Sequence, residues 1–207
     1  MAPSIKTIAT KTTTTKPQTK TWDPKKKESN WIRQYVKGSY GLNVRICGMK
    51  KDRDIWTPKH VEQFNAFMKK SQQLVSKPIK VYRGTGSPSP TMQHSTDKHT
   101  HWDKPIKNCQ YLSTSKNKYI GMRFAELQAK EKGFLHLMHL HKGVKIYDVS
   151  AYPTDKEPSD DVIGNVIKQE QEVIIYPKQY FSFIGTKRTK KGSIIFEWDV
   201  TPTKPQI

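Results

Sequence analysis

The chain has 207 residues, enough for one sizeable core but cramped for two domains. Hydrophobic residues make up only 34%, so part of the chain is expected outside that core, yet five Trp, nine Tyr and seven Phe exclude global disorder. The net charge of +19 attracts polyanions such as RNA, DNA and acidic proteins but says nothing of chemistry, and no apolar run approaches the ~18 residues of a membrane span.

Residues 1–21 are rich in Thr and Lys, contain no acid and show no apolar periodicity. They read as a disordered basic arm; a transit peptide would carry Arg and an amphipathic pattern, and a signal peptide an apolar segment. A single domain is expected over 22–207, helical over 22–76 and β-rich over 77–207. Thr57-Pro58 is a helix start, and Val61, Phe64, Phe67, Met68 and Leu74 recur at helical spacing, predicting a helix over 58–75. A strand follows over 79–83, then a polar loop over 85–107. A strand over 109–114 leads into a helix over 118–132, closed by Gly133. Apolar strands over 134–141 and 144–149 predict a hairpin at His141-Lys142-Gly143. After an acidic, turn-rich stretch over 152–165, strands are expected over 172–176, 180–185 and 193–200. Helices first and strands later argue for an α+β fold.

Several features carry little chemistry. Cys47 and Cys109 form no CxxC pair and are read as neither a zinc site nor a disulfide framework, a usage that fits a reducing cytoplasm. Gly84-Thr85-Gly86 lacks the Gly-Lys-Ser/Thr of a nucleotide loop and reads as a turn. His136, His139 and His141 lie in an apolar strand with His136 on the opposite face and no acid or Cys nearby, so no metal is expected. The basic tip over 187–191 reads as a solvated hairpin or a phosphate contact.

Three short motifs remain. Val81-Tyr82-Arg83-Gly84 ends a strand on an arginine whose planar fork can clamp a phosphate or ribose oxygen; alone, it is more simply a surface ion pair. Leu112-Ser113-Thr114-Ser115 ends a strand before a helix. It could be a mere cap, but alternation sets Ser113 and Ser115 on one face and Thr114 on the other, where a hydroxyl can hold a carboxylate. Glu170-Gln171-Glu172 enters a strand with two carboxylates expected on one face, repelling each other.

In this order the motifs resemble the R-S-E class of mono-ADP-ribosyltransferases, most nearly the small Mod-type enzymes that tailed phages deploy against bacteria. The resemblance spans about residues 79–200. It implies an α+β fold of N-terminal helices plus two small perpendicular sheets around an NAD cleft, with NAD as co-substrate and no metal. It also implies that Arg83 binds NAD near its phosphates and nicotinamide ribose, and that the Gly84 backbone meets the carboxamide. Ser113 would orient the catalytic Glu172, Thr114 and Ser115 would shape the pocket, and Phe124 would pack on nicotinamide unless it is helix core. Glu170 would select arginine as acceptor. Ile167 stands where many relatives carry a target-recognising aromatic.

These residue types suit the chemistry. Nicotinamide leaves neutral, so no general acid is required; a carboxylate near the ribose stabilises the positive charge that develops there. A protonated guanidinium is a poor nucleophile, and a second carboxylate can bind it, aim one nitrogen and take its proton. The expected targets are host proteins with accessible arginines, ribosomal or transcription-associated, in the cytoplasm of an infected bacterium. RNA contact is expected through the basic surface, and membrane contact is not. The alternatives are another acceptor on the same fold and a non-catalytic nucleic-acid-binding protein.

Overall fold

The computed structural model describes residues 29–49, 56–91, 102–128, 133–151, 169–189 and 194–206. The basic arm, Ile167, the 152–165 stretch and the far part of the 187–191 tip fall outside these residues. In chain order the elements are α1 (Ser29–Ile46), α2 (Pro58–Lys70), β1 (Gln73–Leu74), β2 (Ile79–Thr85), β3 (Ile106–Lys107), β4 (Leu112–Ser115), α3 (Lys118–Gln128), β5 (Phe134–Leu140), β6 (Lys145–Asp148), a short helical turn (Val149–Ala151), β7 (Glu172–Ile175), β8 (Tyr180–Arg188) and β9 (Ile194–Thr201).

This is the expected α+β class. Instead of two separate sheets, hydrogen bonding links the strands in one order, β1-β6-β7-β4-β2-β5-β9-β8-β3. The link between its halves is thin: β2 and β4 share the single register pair Tyr82↔Ser115. All pairings are antiparallel except β5 with β9. The expected 134–149 hairpin does not form. Both edges of β5 are taken, by β2 and β9, so the turn at His141 and Gly143 carries the chain into the other half, where β6 joins β1 and β7.

The first helices pack by side-chain pattern. Thr57 caps α2, its hydroxyl accepting from the His60 amide at 3.2 Å, with Pro58 in the first turn. The helix stops at Lys70, five residues before the predicted end, because Ser71 caps it and residues 73–74 pair with β6. Phe64, Phe67 and Met68 join Ile32, Tyr35 and Leu42 of α1 in a cluster against Ile174 of β7. A second cluster takes Val173 and Ile175 from the other face of β7, with Val81, Leu112, Met138 and Trp198. Every residue of β7 is therefore buried, including Glu172 at its head.

The two cysteines, expected to form no disulfide framework, are bonded to each other. Cys47, just beyond α1, and Cys109, just before β4, form a disulfide with a Cα separation of 5.2 Å across 62 residues. Asn43 draws the two segments together, donating to the Tyr111 carbonyl at 2.9 Å and accepting from its amide at 3.0 Å. The cysteines therefore no longer argue for a reducing compartment.

Helix α3 lies directly on β2. A Cβ at Gly84 would stand 2.1 Å from the Ala125 nitrogen and 2.2 Å from the Gly121 carbonyl oxygen, both backbone atoms that cannot yield without moving the helix. Gly84→Ala is expected to destabilise the chain by about 3 kcal/mol, measured by urea unfolding. A loss under about 1 kcal/mol would contradict this packing.

Candidate active site

A cleft of about 640 Å³ opens where the two halves of the sheet meet, walled by α1, β2 with its following loop, β4, α3 and the turn before β7. Arg83, Gly84, Ser113, Thr114, Ser115, Phe124, Glu170 and Glu172, each singled out from the sequence, all line it.

Arg83 leaves β2 just beside the Tyr82–Ser115 seam and spans it. Its Nη1 donates to the Ser113 carbonyl at 2.7 Å and its Nε to the Pro90 carbonyl at 3.2 Å. Burial lowers the pKa of the guanidinium, while Tyr35 and Glu172 act in the opposite sense. It is no surface ion pair: it fastens β2, β4 and the 86–91 loop together and still lines the cleft.

Glu172 is 6% exposed, and its Oε2 is buried without a hydrogen-bond partner among the described residues. Burial pushes its pKa from 4.5 up to about 7; Ser113 hydrogen bonding and Arg83 oppose the rise, and Glu170 adds to it. Ser113 Oγ also lies 3.1 Å from the Tyr35 hydroxyl, which itself donates to the Tyr111 carbonyl at 3.1 Å. A single hydroxyl proton thus has two acceptors, and an ionised carboxylate is the stronger.

The two glutamates are not neighbours on one strand face. Strand β7 begins at Glu172; Glu170 lies in a helical turn before it, and Gln171 between them has φ 46°. That left-handed residue is held by the end of β4: Ser115 Oγ donates to the Glu170 carbonyl at 2.5 Å, and the Lys116 amide to the Gln171 carbonyl at 3.1 Å. Thr114 Oγ1 donates to the Val173 carbonyl at 2.6 Å. Thr114 and Ser115 thus tie β4 to the turn carrying Glu170 and to β7, and Ser113 reaches Glu172. Burial raises the Glu170 pKa, and Arg123 of α3 opposes that rise.

Phe124 is 38% exposed and lines the cleft with Ile120, which separates it from the helix core. Three contributions escaped the sequence reading. Tyr35 and Asn43 come from α1, more than 65 residues before the groups they bond, and the Ser87, Ser89 and Thr91 loop forms a hydroxyl-rich wall. The histidines each have other partners: His139 meets Glu197 at 2.7 Å, His141 meets Asp199 at 2.8 Å, and His136 is buried beneath the cleft wall. Lys187 is tied to Glu197 at 2.6 Å, so this part of the basic tip is engaged within the fold.

The chain matches known proteins in sequence family and in fold. The family described as ADP-ribosyltransferase exoenzyme matches residues 13–191. Plx2a, an ADP-ribosyltransferase toxin from Paenibacillus larvae, superimposes with a TM-score of 0.54 at 15% identity, covering 84% of this chain and 87% of its own. C3stau2 from S. aureus, in a structure with NAD, gives 0.52 at 15% identity over 86% of this chain and 88% of its own. The ADP-ribosylating toxin BECa of a C. perfringens binary enterotoxin, with NADH, gives 0.54 at 15% identity over 83% of this chain, which spans 42% of that toxin. No curated protein matches the sequence. The fold and site define an ADP-ribosyltransferase. The chain belongs to the ADP-ribosyltransferase exoenzyme family.

The raised pKa of Glu172 has a stability consequence. The folded chain holds this proton more tightly than the unfolded chain, so the stability it contributes is complete below pH 4.5 and lost as pH rises through about 7. Above that, the buried anion costs about 3 kcal/mol, a figure that already includes its attraction to Arg83. Glu172→Gln is expected to be more stable than wild type by ~3 kcal/mol at about pH 8, the difference vanishing towards pH 4.5, by urea unfolding at both. A less stable variant at about pH 8 would contradict the burial of an uncompensated charge.

Proposed function

We propose that this chain transfers ADP-ribose from NAD to arginine side chains of other proteins and releases nicotinamide. The observation that carries the reading is Glu172, buried with an unpartnered Oε2, in the same cleft as Arg83, Ser113 and Glu170. The cleft volume lies within the roughly 300–1,000 Å³ typical of small-molecule sites. Arg83 supplies a cation for the phosphates or ribose oxygens, the Gly84 backbone a contact for the carboxamide, and the exposed face of Phe124 an apolar surface for the nicotinamide ring.

In this mechanism Glu172, ionised and steadied by Ser113, stabilises the positive charge that grows on the ribose as the bond to nicotinamide breaks. Preorganisation by the β4–β7 ties fixes the carboxylate before the reaction. Glu170, which lines the same cleft, binds the acceptor guanidinium, turns one nitrogen towards the sugar carbon and takes its proton. The net charge of +19 favours targets associated with RNA, such as ribosomal or transcription proteins, and direct RNA contact. On the likeness to Mod-type enzymes, the setting is the cytoplasm of a bacterium infected by a tailed phage.

The two glutamates separate under substitution. Glu172→Gln is expected to lower nicotinamide release and protein labelling together, by about 3 kcal/mol of transition-state stabilisation. Glu170→Gln should lose labelling of arginine while keeping most of the slow NAD hydrolysis, because water needs no guanidinium guide. Wild-type labelling by Glu170→Gln would rule out this residue as the arginine selector and favour another acceptor.

A further inference from the structure

His136 is fully buried in β5, does not line the cleft, and has no part in the chemistry above. Its ring is bonded on both sides. Trp198 Nε1 donates to His136 Nδ1 at 3.1 Å, so Nδ1 is the unprotonated nitrogen and Nε2 carries the hydrogen. That Nε2–H points at the cleft-wall loop, 2.9 Å from Thr85 Oγ1 and 3.2 Å from the Ser87 carbonyl oxygen. Thr85 Oγ1 itself donates to the Ser87 carbonyl at 2.5 Å.

The segment so held lacks strand pairing beyond Thr85 and supplies Thr85, Gly86, Ser87, Ser89, Pro90 and Thr91 to the cleft. From Ser87 onward, local Ser and Thr turns shape it: the Ser89 amide donates to Ser87 Oγ, and Ser89 Oγ to the Thr91 carbonyl. Arg83 and His136 fasten it to the sheet, Arg83 through the Pro90 carbonyl and His136 through the Ser87 carbonyl and Thr85 Oγ1.

We infer that His136 is a positioning residue for the NAD site: a neutral imidazole of fixed tautomer that links Trp198 in the core to the 85–91 loop and sets that loop for binding NAD. The inference rests on the functional reading above. An apolar side chain in its place would leave the Ser87 carbonyl and the indole N–H without these partners. A protonated ring would set an N–H against the indole N–H. Burial and the nearby Arg83 hold the ring neutral, with its pKa lowered to about 3, so the link is intact at neutral pH.

The test uses two variants of the full chain that each keep half of the link. His136→Gln retains a donor near Nε2, towards Ser87, and gives up the indole contact. His136→Asn retains an acceptor near Nδ1 for Trp198 and gives up the loop. Calorimetric titration with NAD, together with kcat for nicotinamide release, is expected to show Kd raised about tenfold in His136→Asn and changed less than about threefold in His136→Gln. In both, kcat should stay within about threefold of wild type. A purely structural role would weaken binding equally in the two variants or only lower Tm, and either result overturns the inference. If neither variant folds, Thr85→Val decides: a similar rise in Kd supports the link, and unchanged affinity overturns it. Failure of the wild-type chain to bind NAD overturns the functional reading and the inference together, whereas wild-type binding with unchanged affinity in His136→Asn overturns the inference alone.

Discussion

Burial of Glu172 at the head of a strand covered on both faces removes its carboxylate from water, which an anion tolerates only with compensating partners. Those partners come from two strands, with Tyr35 competing for the proton of one of them. Arg83 stands on β2, Ser113 on β4, and Tyr35 reaches Ser113 from α1. The compensation is incomplete, since Oε2 has no partner among the described residues and the pKa sits near 7. A carboxylate left short of partners in this way is suited to a cation that arrives with the substrate and grows in the transition state.

The location of this group explains the shape of the sheet. The two halves meet at one residue pair, and where backbone pairing runs out, side chains take over: Arg83 bridges to the Ser113 carbonyl and to the loop beyond β2. The seam is therefore both the weakest place in the hydrogen-bond ladder and the place where a cleft can open. Gly84, one residue on, lets α3 close over the same seam, bringing Phe124 and Ile120 to the cleft.

Much of this was legible in the sequence because it is local. The starts of β2, β5, β7 and β8 fall where residue pattern and turn residues put them, and Arg83, Ser113 and Glu172 converge on one cleft. What escaped depends on distance along the chain. Tyr35 and Asn43 meet residues some 70 positions later, and no periodicity announces such a pair. The Cys47–Cys109 bond follows from the same docking of α1. Strand alternation also misled at Glu170, because a left-handed Gln171 breaks the extended backbone between the glutamates, and at 134–149, where two apolar strands with a good turn belong to different halves.

The proposed chemistry depends on Glu172 acting as a carboxylate whose ionisation is held near neutrality by its surroundings. The pH dependence of kcat/KM for nicotinamide release reports the free enzyme and so tests this directly. For the wild type, kcat/KM should rise as pH increases through about 7 and then level, and this limb should be absent from the residual activity of Glu172→Gln. A wild-type profile flat from about pH 5.5 to about pH 8.5, or an identical limb in Glu172→Gln, would contradict it.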